Sequence, residues 1–168
     1  MAEWIISPLS KAHERAGFSC GKAPLDLFLL AHVSQYEKRR LARTYVATEA
    51  GSTIVAGYYT LATGSLDASV LPQPLRKKLP NYPIPTIHLG RLAVDTNCRG
   101  RRLGETLLLH ALKLAHESSE RIGIFGVDVW AIDDEAAAFY RKYGFIALED
   151  DPQHLLLSLK TFNRALDA

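Results

Sequence analysis

A chain of 168 residues with 48% hydrophobic and 23% charged residues has the make-up of an ordinary globular domain with its own core. No apolar run is long enough to cross a bilayer, and the opening residues MAEWIISPLSK lack the basic start and apolar stretch of a secretion signal; a cytoplasmic protein is expected. The formal net charge is only +2, so a polyanionic partner has to be met by a local patch and not by a global field. Cys20 and Cys98 stand apart, with no CxxC spacing and no histidine at ligand spacing, which predicts no structural metal.

In chain order, Trp4 to Ile6 reads as a first strand stopped at Ser7-Pro8, and Phe18 to Lys22 as a loop. Pro24 sits at the start of a helix that carries Leu25, Phe28, Leu29, His32 and Val33 on one face and runs towards Tyr36. Its end is basic, with Lys38, Arg39, Arg40 and Arg43. Such cations complement a helix dipole, and they equally suit a phosphate backbone; the pattern leaves both readings open. Thr44–Thr48 and Ile54–Leu61 form two strands joined at Gly51-Ser52. Between Pro72 and Pro85 lies a proline-stiffened insertion that displays Arg76, Lys77 and Lys78 on one helical turn. The chain re-enters the sheet at Thr86.

The stretch that follows is the most informative. Ile87, Leu89, Leu92 and Val94 form the apolar side of a strand that ends at the turn Asp95-Thr96-Asn97. A basic loop, Arg99-Gly100-Arg101-Arg102-Leu103-Gly104, then opens a helix with Leu103, Leu107, Leu108, Ala111, Leu112 and Ala115 at spacings of three and four. Strand, glycine–arginine loop and helix together make an anion site, because the first helical N–H groups have no internal partner and the dipole is positive there. Glu105 stands where a Walker loop needs Lys, and Gly100 and Gly104 lack the third glycine of a dinucleotide fingerprint. Beyond the helix, Gly123–Trp130 reads as a core strand. Asp133-Asp134-Glu135 begins a helix with Ala136, Phe139, Tyr140 and Tyr143 at helical spacing, ended by Gly144. Phe145–Ala147 begins a strand, Asp150-Asp151-Pro152 turns the chain, and His154–Leu159 is the last strand. The sum is mixed α/β.

The loop matches Gln/Arg-x-x-Gly-x-Gly/Ala, the pyrophosphate-binding pattern of the GNAT N-acetyltransferases, with Arg99 first, Gly104 last and Arg102 in place of the central glycine. Order of elements and the segment FYRKYGF extend the resemblance over nearly the whole chain. The stretches FSCGKAPLDLFL, YYTLATGSL, LRKKLPNYPIPTIHLGRLAVD and DDEAAAFYRKYGF are similar, more narrowly, to the GNAT toxins of bacterial type II toxin–antitoxin modules, which acetylate aminoacyl-tRNA.

The resemblance implies one GNAT domain over residues 1–168, with a single mixed central sheet of six to seven strands flanked by helices, and acetyl-CoA as cofactor. It assigns Leu92, Ala93 and Val94 to the pantetheine arm, and Arg99, Gly100, Arg101, Arg102, Leu103 and Gly104 to the diphosphate. Asp133 falls where many relatives place an asparagine beside the cofactor. Arg102 keeps a free backbone N–H if its φ stays negative. Tyr140 falls where relatives place the phenol that protonates departing thiolate, a role that its ordinary pKa near 10 suits. Lys38, Arg39, Arg40, Arg43, Arg76, Lys77, Lys78, Arg141 and Lys142 are then candidate contacts to the tRNA backbone. An antitoxin of ribbon-helix-helix type and a homodimer are further implications. An α-amine of pKa about 8 is neutral in roughly one molecule in ten at pH 7, so it asks little of a base. Glu135 and His88 are the candidates, and the sequence sets neither apart. Two other readings share the same fold: acetylation of a small amine or of protein amines, and an inactive module that binds CoA.

Overall fold

The computed structural model describes residues 3–167. In chain order the elements are β1 (Trp4–Pro8), α1 (Ala23–Leu27), a π-helical turn (Phe28–His32), α2 (Val33–Lys38), β2 (Arg43–Glu49), β3 (Gly57–Leu66), α3 (Gln73–Arg76), β4 (Ile84–Val94), α4 (Leu103–Ser119), β5 (Gly126–Trp130), α5 (Asp134–Lys142), β6 (Ile146–Ala147), β7 (His154–Ser158) and α6 (Leu159–Asp167). The strands form one seven-stranded mixed sheet in the order β1-β2-β3-β4-β5-β7-β6. The chain divides into two compact units, one holding the described residues up to Ala62 with Gly90–Ala111, the other Thr63–Leu89 with Leu112 onward.

In the first unit β2 pairs antiparallel with β1 from Trp4↔Glu49 to Pro8↔Tyr45, and with β3 from Arg43↔Leu61 to Ala47↔Gly57. Phe18, Phe28, Leu29, Val33, Val46, Tyr58 and Ala93 bury against one another there. Gly57 allows a close approach that no side chain fits: a Cβ would lie 2.9 Å from Leu107 and 3.0 Å from the Ala93 carbonyl oxygen. The helical periodicity puts His32 on the buried face, and the structure exposes it. The π-helical turn inserts an extra residue into the helical repeat, which rotates His32 outward while Val33 stays fully buried. The second strand of the hairpin also moves. Ile54 is 62% exposed and makes only an isolated bridge to Glu14, and the strand begins at Gly57 and runs on to Leu66.

In the second unit β4 and β5 run parallel from Thr86↔Gly126 to Leu89↔Val129, and β7 pairs antiparallel with both β5 and the two-residue β6. Leu66, Leu71, Ile84, Leu148 and Leu156 form its core. The predicted strand Gly123–Trp130 is shorter, starting at Gly126, where a Cβ would meet the Leu157 carbonyl oxygen at 2.5 Å. The last predicted strand ends at Ser158 and not at Leu159. Leu159 instead opens α6, which buries Leu159 and Phe162 and sets the Phe162 ring edge-on to His116 at 6.3 Å.

Candidate active site

The glycine–arginine loop belongs to the first unit and is fixed at both ends by burial. Upstream, Ala93 is buried between the half-buried Leu92 and Val94 of β4, and a 3-10 turn (Thr96–Cys98) follows Asp95. The Asp95 carboxylate is buried and accepts the Ser19 and Asn97 amides at 3.0 and 2.9 Å, which ties the turn to the Cys20 loop. Arg99 reinforces that tie by donating to the Cys20 carbonyl at 2.7 Å. Downstream, Leu103, Leu107, Leu108, Ala111 and Leu112 are at most 2% exposed; each buried leucine contributes about 1.5–3 kcal/mol, so the helix start is held in place.

Between these anchors the loop is open. Gly100 has φ +77°, and a Cβ there would meet nothing within 4 Å. Arg102 has φ +60°, so the negative φ set as the condition for its free N–H is not what the backbone adopts. A left-handed residue at this point is what a glycine supplies without steric cost, which explains the glycine of the family pattern. Turned this way, Arg102 directs its carbonyl to the Thr106 amide and hydroxyl at 3.0 and 2.8 Å. The amides of residues 101–105 donate to no acceptor among the described residues, so the helix start is unsealed. That cradle fits a diphosphate. Arg101 is partly engaged elsewhere: its guanidinium pairs with Glu49 at 2.6 Å and lies 4.5 Å from the Trp4 ring centroid.

Tyr140 belongs to the second unit. It is 4% exposed on α5, with ring centroids 5.3 Å from Phe139 and 5.4 Å from Phe145. Burial pushes its phenol well above the ordinary tyrosine range, so the group keeps its proton at any physiological pH. Tyr143 is half-buried beside Phe139 at 5.2 Å, a packing position. Asp133 caps α5, its carboxylate accepting the Ala136 amide at 2.8 Å. Asparagine caps a helix equally well, so the acid at this position preserves the local fold.

The basic candidates are all on the surface. In the first unit Lys38 closes α2 and is followed by Arg39 and Arg40, with Arg40 at φ +59°. The Leu41 amide bonds the Tyr36 carbonyl and the Arg40 amide that of Glu37, the double bond of a Schellman cap with arginine in the glycine place. Arg43 pairs with Glu37 at 2.8 Å. In the second unit Arg76 ends α3 and donates to the Ser69 carbonyl, and Lys77 and Lys78 follow it, exposed. Arg141 and Lys142 end α5.

Sequence reasoning does not find two arrangements. Arg91 stacks on Phe28, 3.7 Å from the ring centroid, with Tyr36 at 5.2 Å. Asp128 on β5 gathers Thr86, His88 and His154 from two other strands. Only ladder register brings these together, so no local spacing announces them. Cys20, by contrast, is buried, and burial with the Asp26 hydrogen bond pushes its thiol up to about 11, which makes it inert.

Residues 40–147 match the family described as Acetyltransferase (GNAT) domain. A tRNA-acetylating toxin of Mycobacterium tuberculosis (strain ATCC 25618 / H37Rv) is 36% identical over 152 residues, covering 90% of each chain. The structure of AtaT complexed with acetyl-methionyl-tRNAfMet superposes with a TM-score of 0.91 at 30% identity, covering 98% of this chain and 99% of that one. A tyrosine-to-phenylalanine mutant of the AtaT toxin, bound to the C-terminus of the antitoxin AtaR and acetyl-CoA, superposes with a TM-score of 0.84 at 27% identity, covering 99% of each. The chain belongs to the GNAT family of acetyltransferases.

Proposed function

We propose that the protein is the toxin of a type II toxin–antitoxin pair, one that moves the acetyl group of acetyl-CoA to the α-amine of aminoacyl-tRNA and so stops translation. The observation that carries the reading is the unsealed start of α4: a fixed helix end with open amides, a glycine and cations, on a GNAT chain. The relative named as a tRNA-acetylating toxin and the AtaT complex with acetyl-methionyl-tRNA support the acceptor. Residues 1–168 serve as one acetyltransferase domain acting in the cytoplasm; among the described residues no helix is long and apolar enough to cross a membrane.

In this reading Leu92, Ala93 and Val94 pair their backbone with pantetheine, and the amides from Arg101 to Gly104 hold the diphosphate. Arg99 and Arg101 add charge. Asp133 holds the start of α5 beside the cofactor, and Tyr140 returns a proton to the leaving sulfur. The exposed cations Lys38, Arg39, Arg40, Arg43, Arg76, Lys77, Lys78, Arg141 and Lys142 grip tRNA phosphates, reading shape and backbone more than base sequence. A ribbon-helix-helix antitoxin whose acidic or amphipathic tail covers these cations, and a homodimer, complete the assembly.

The test combines filter binding of charged and uncharged tRNA with transfer from labelled acetyl-CoA. Transfer to charged tRNA is expected. Transfer to polyamines or protein amines alone replaces the reading with a small-molecule or protein acetyltransferase, and acetyl-CoA binding without transfer to any amine leaves a binding module.

A further inference from the structure

One arginine of the first unit is held in place by aromatic rings and, among the described residues, by no carboxylate. Arg91 lies on β4 directly before Leu92, half-buried, and turns its guanidinium onto the helical layer of the same unit. Its Cζ sits 3.7 Å from the Phe28 ring centroid, and the Tyr36 ring is 5.2 Å away. Those rings are themselves fixed. Phe28 is buried, meets Tyr36 edge-on at 5.0 Å and stacks on the buried Tyr58 at 6.2 Å. The π-helical turn that begins at Phe28 is steadied from outside, where Arg15 donates to the Leu29 carbonyl at 3.0 Å. Such turns recur at functional sites, because the extra residue re-aims the side chains around it.

A ring face places a cation through its quadrupole and uses none of the N–H donors. Arg91 makes no hydrogen bond and no ion pair with any described residue. Residues 23–38, which form the helical layer beneath it, carry two carboxylates, and both are taken. Asp26 accepts the Cys20 amide at 2.8 Å; Glu37 accepts the Thr44 amide at 2.6 Å and Arg43 at 2.8 Å. The contrast with other arginines of the unit is plain, since Arg43 and Arg101 each hold a carboxylate and Arg99 holds the Cys20 carbonyl. Arg91 is thus a positioned guanidinium with open donors. That is the arrangement that takes a phosphate in a two-pronged bond.

Its place on the strand says which phosphate. In the reading above the coenzyme's diphosphate lies at the loop after Val94, and pantetheine runs back along Val94, Ala93 and Leu92. Strand residues advance about 3.3 Å each, so Arg91 comes next, at the thioester end of the arm and roughly 10 Å before Val94. The coenzyme's own phosphates lie at the opposite end, which leaves the acceptor to supply the anion. We propose that Arg91 binds a backbone phosphate in the single-stranded 3′ end of tRNA, the stretch that carries the aminoacyl ester. This rests on the tRNA-acetylating reading above. Lys38, Arg39, Arg40 and Arg43, the other cations of this unit proposed to meet tRNA, belong instead to the end of α2 and the start of β2.

The experiment titrates full-length wild type, Arg91→Met and Arg91→Lys with uncharged tRNA over a range of salt concentrations. The same tRNA without its single-stranded 3′ end is the second probe, and melting and acetyl-CoA affinity are measured alongside. Methionine keeps an apolar chain over Phe28 and drops the charge. Arg91→Met is expected to bind intact tRNA about 10-fold or more weakly, with log affinity against log salt flatter by about 0.7, the value of one single-stranded phosphate. On the shortened tRNA it should match wild type. Arg91→Lys keeps the charge and so the wild-type slope, at an intermediate affinity, because an ammonium lacks the planar fork. A wild-type slope for Arg91→Met overturns the proposal, and so does an equal loss on both RNAs. An acetyl-CoA affinity that falls as far as the tRNA affinity also overturns it, and makes the stack a support for the cofactor arm. Should Arg91→Met melt early, Arg91→Gln repeats the comparison at a temperature where it is folded, and its slope decides in the same way. A wild type that binds no tRNA refutes the acceptor and the proposal together; a wild type that acetylates charged tRNA, beside an unchanged slope in Arg91→Met, removes Arg91 alone.

Discussion

Tyr140 and Arg102 show how much one atom or one dihedral angle can decide. Replacing Tyr140 with phenylalanine keeps the ring against Phe139 and Phe145 and removes only the hydroxyl. Turnover should fall about 10²-fold or more while acetyl-CoA affinity stays nearly constant, as separate turnover and equilibrium-binding measurements would show. Equal losses in both would make the side chain a packing element. Arg102 holds a left-handed backbone that costs a side-chain-bearing residue about 1–2 kcal/mol. Glycine removes that cost but adds freedom to the unfolded chain, about 0.4–1 kcal/mol. Arg102→Gly should therefore raise the urea midpoint, by about 0.5–1 kcal/mol in stability, with little change in acetyl-CoA affinity. A lower midpoint would mean that the arginine side chain itself supports the loop. Such single positions are legible in the sequence only when a pattern marks them. Arg99 to Gly104 and Tyr140 carry one. Asp128 does not, because its partners stand 40 and 26 residues away and meet it only through strand pairing.

At the scale of elements, α4 is plain from its sequence, since six apolar positions share one face and all six are buried. Where sequence and structure part, the physical cause is local. A π-helical turn adds a residue without any change in composition, so Phe28–His32 has the pattern of ordinary helix. The β-branched run at Ile54 and Val55 has the composition of a strand, but the ladder with β2 reaches only from Gly57. Leu155 to Leu159 is a continuous run of apolar residues around Ser158, and periodicity cannot mark where strand yields to α6 within it. The end of α2 offers a prediction of its own. Arg39 and Arg40 project from a Schellman-type cap whose backbone bonds do not depend on charge. Changing both to glutamate should lower melting only slightly, through the helix dipole, weaken tRNA binding, and flatten the plot of log affinity against log salt by roughly 0.7–0.9 for each phosphate no longer neutralised. An unchanged slope in a filter-binding titration would take these arginines out of the tRNA interface.

For the molecule as a whole, buried phenols set the alkaline limit of stability. Burial pushes Tyr58, Tyr59 and Tyr140 above the ordinary tyrosine range; Arg91 opposes it at Tyr58 and Tyr45 adds to it at Tyr59. The unfolded chain thus loses these protons first, from about pH 10. Their contribution is complete below that pH and shrinks as pH rises through it towards the folded values. Urea midpoints should accordingly fall only slightly from about pH 7 to 9, where the Cys20 thiol begins to ionise in the unfolded chain, and drop steeply by about pH 11; a flat course would mean that these groups ionise alike in both states. A mixed sheet with two helical stretches around a glycine loop is readable from the order of elements, whereas the hydrogen-bonded group around Asp128 requires the folded register.

Trp4 donates its indole N–H to the carbonyl of Arg101, 97 residues away, and the same arginine lies over its ring while gripping Glu49, the residue paired with Trp4 in the β1–β2 ladder. The opening strand is thereby a brace for the loop at the start of α4, the diphosphate cradle of the proposed function. Because such coupling is reciprocal, occupancy of the cradle must slow the fraying of that strand, and anything that tugs on the strand must loosen the grip on the nucleotide end of the coenzyme.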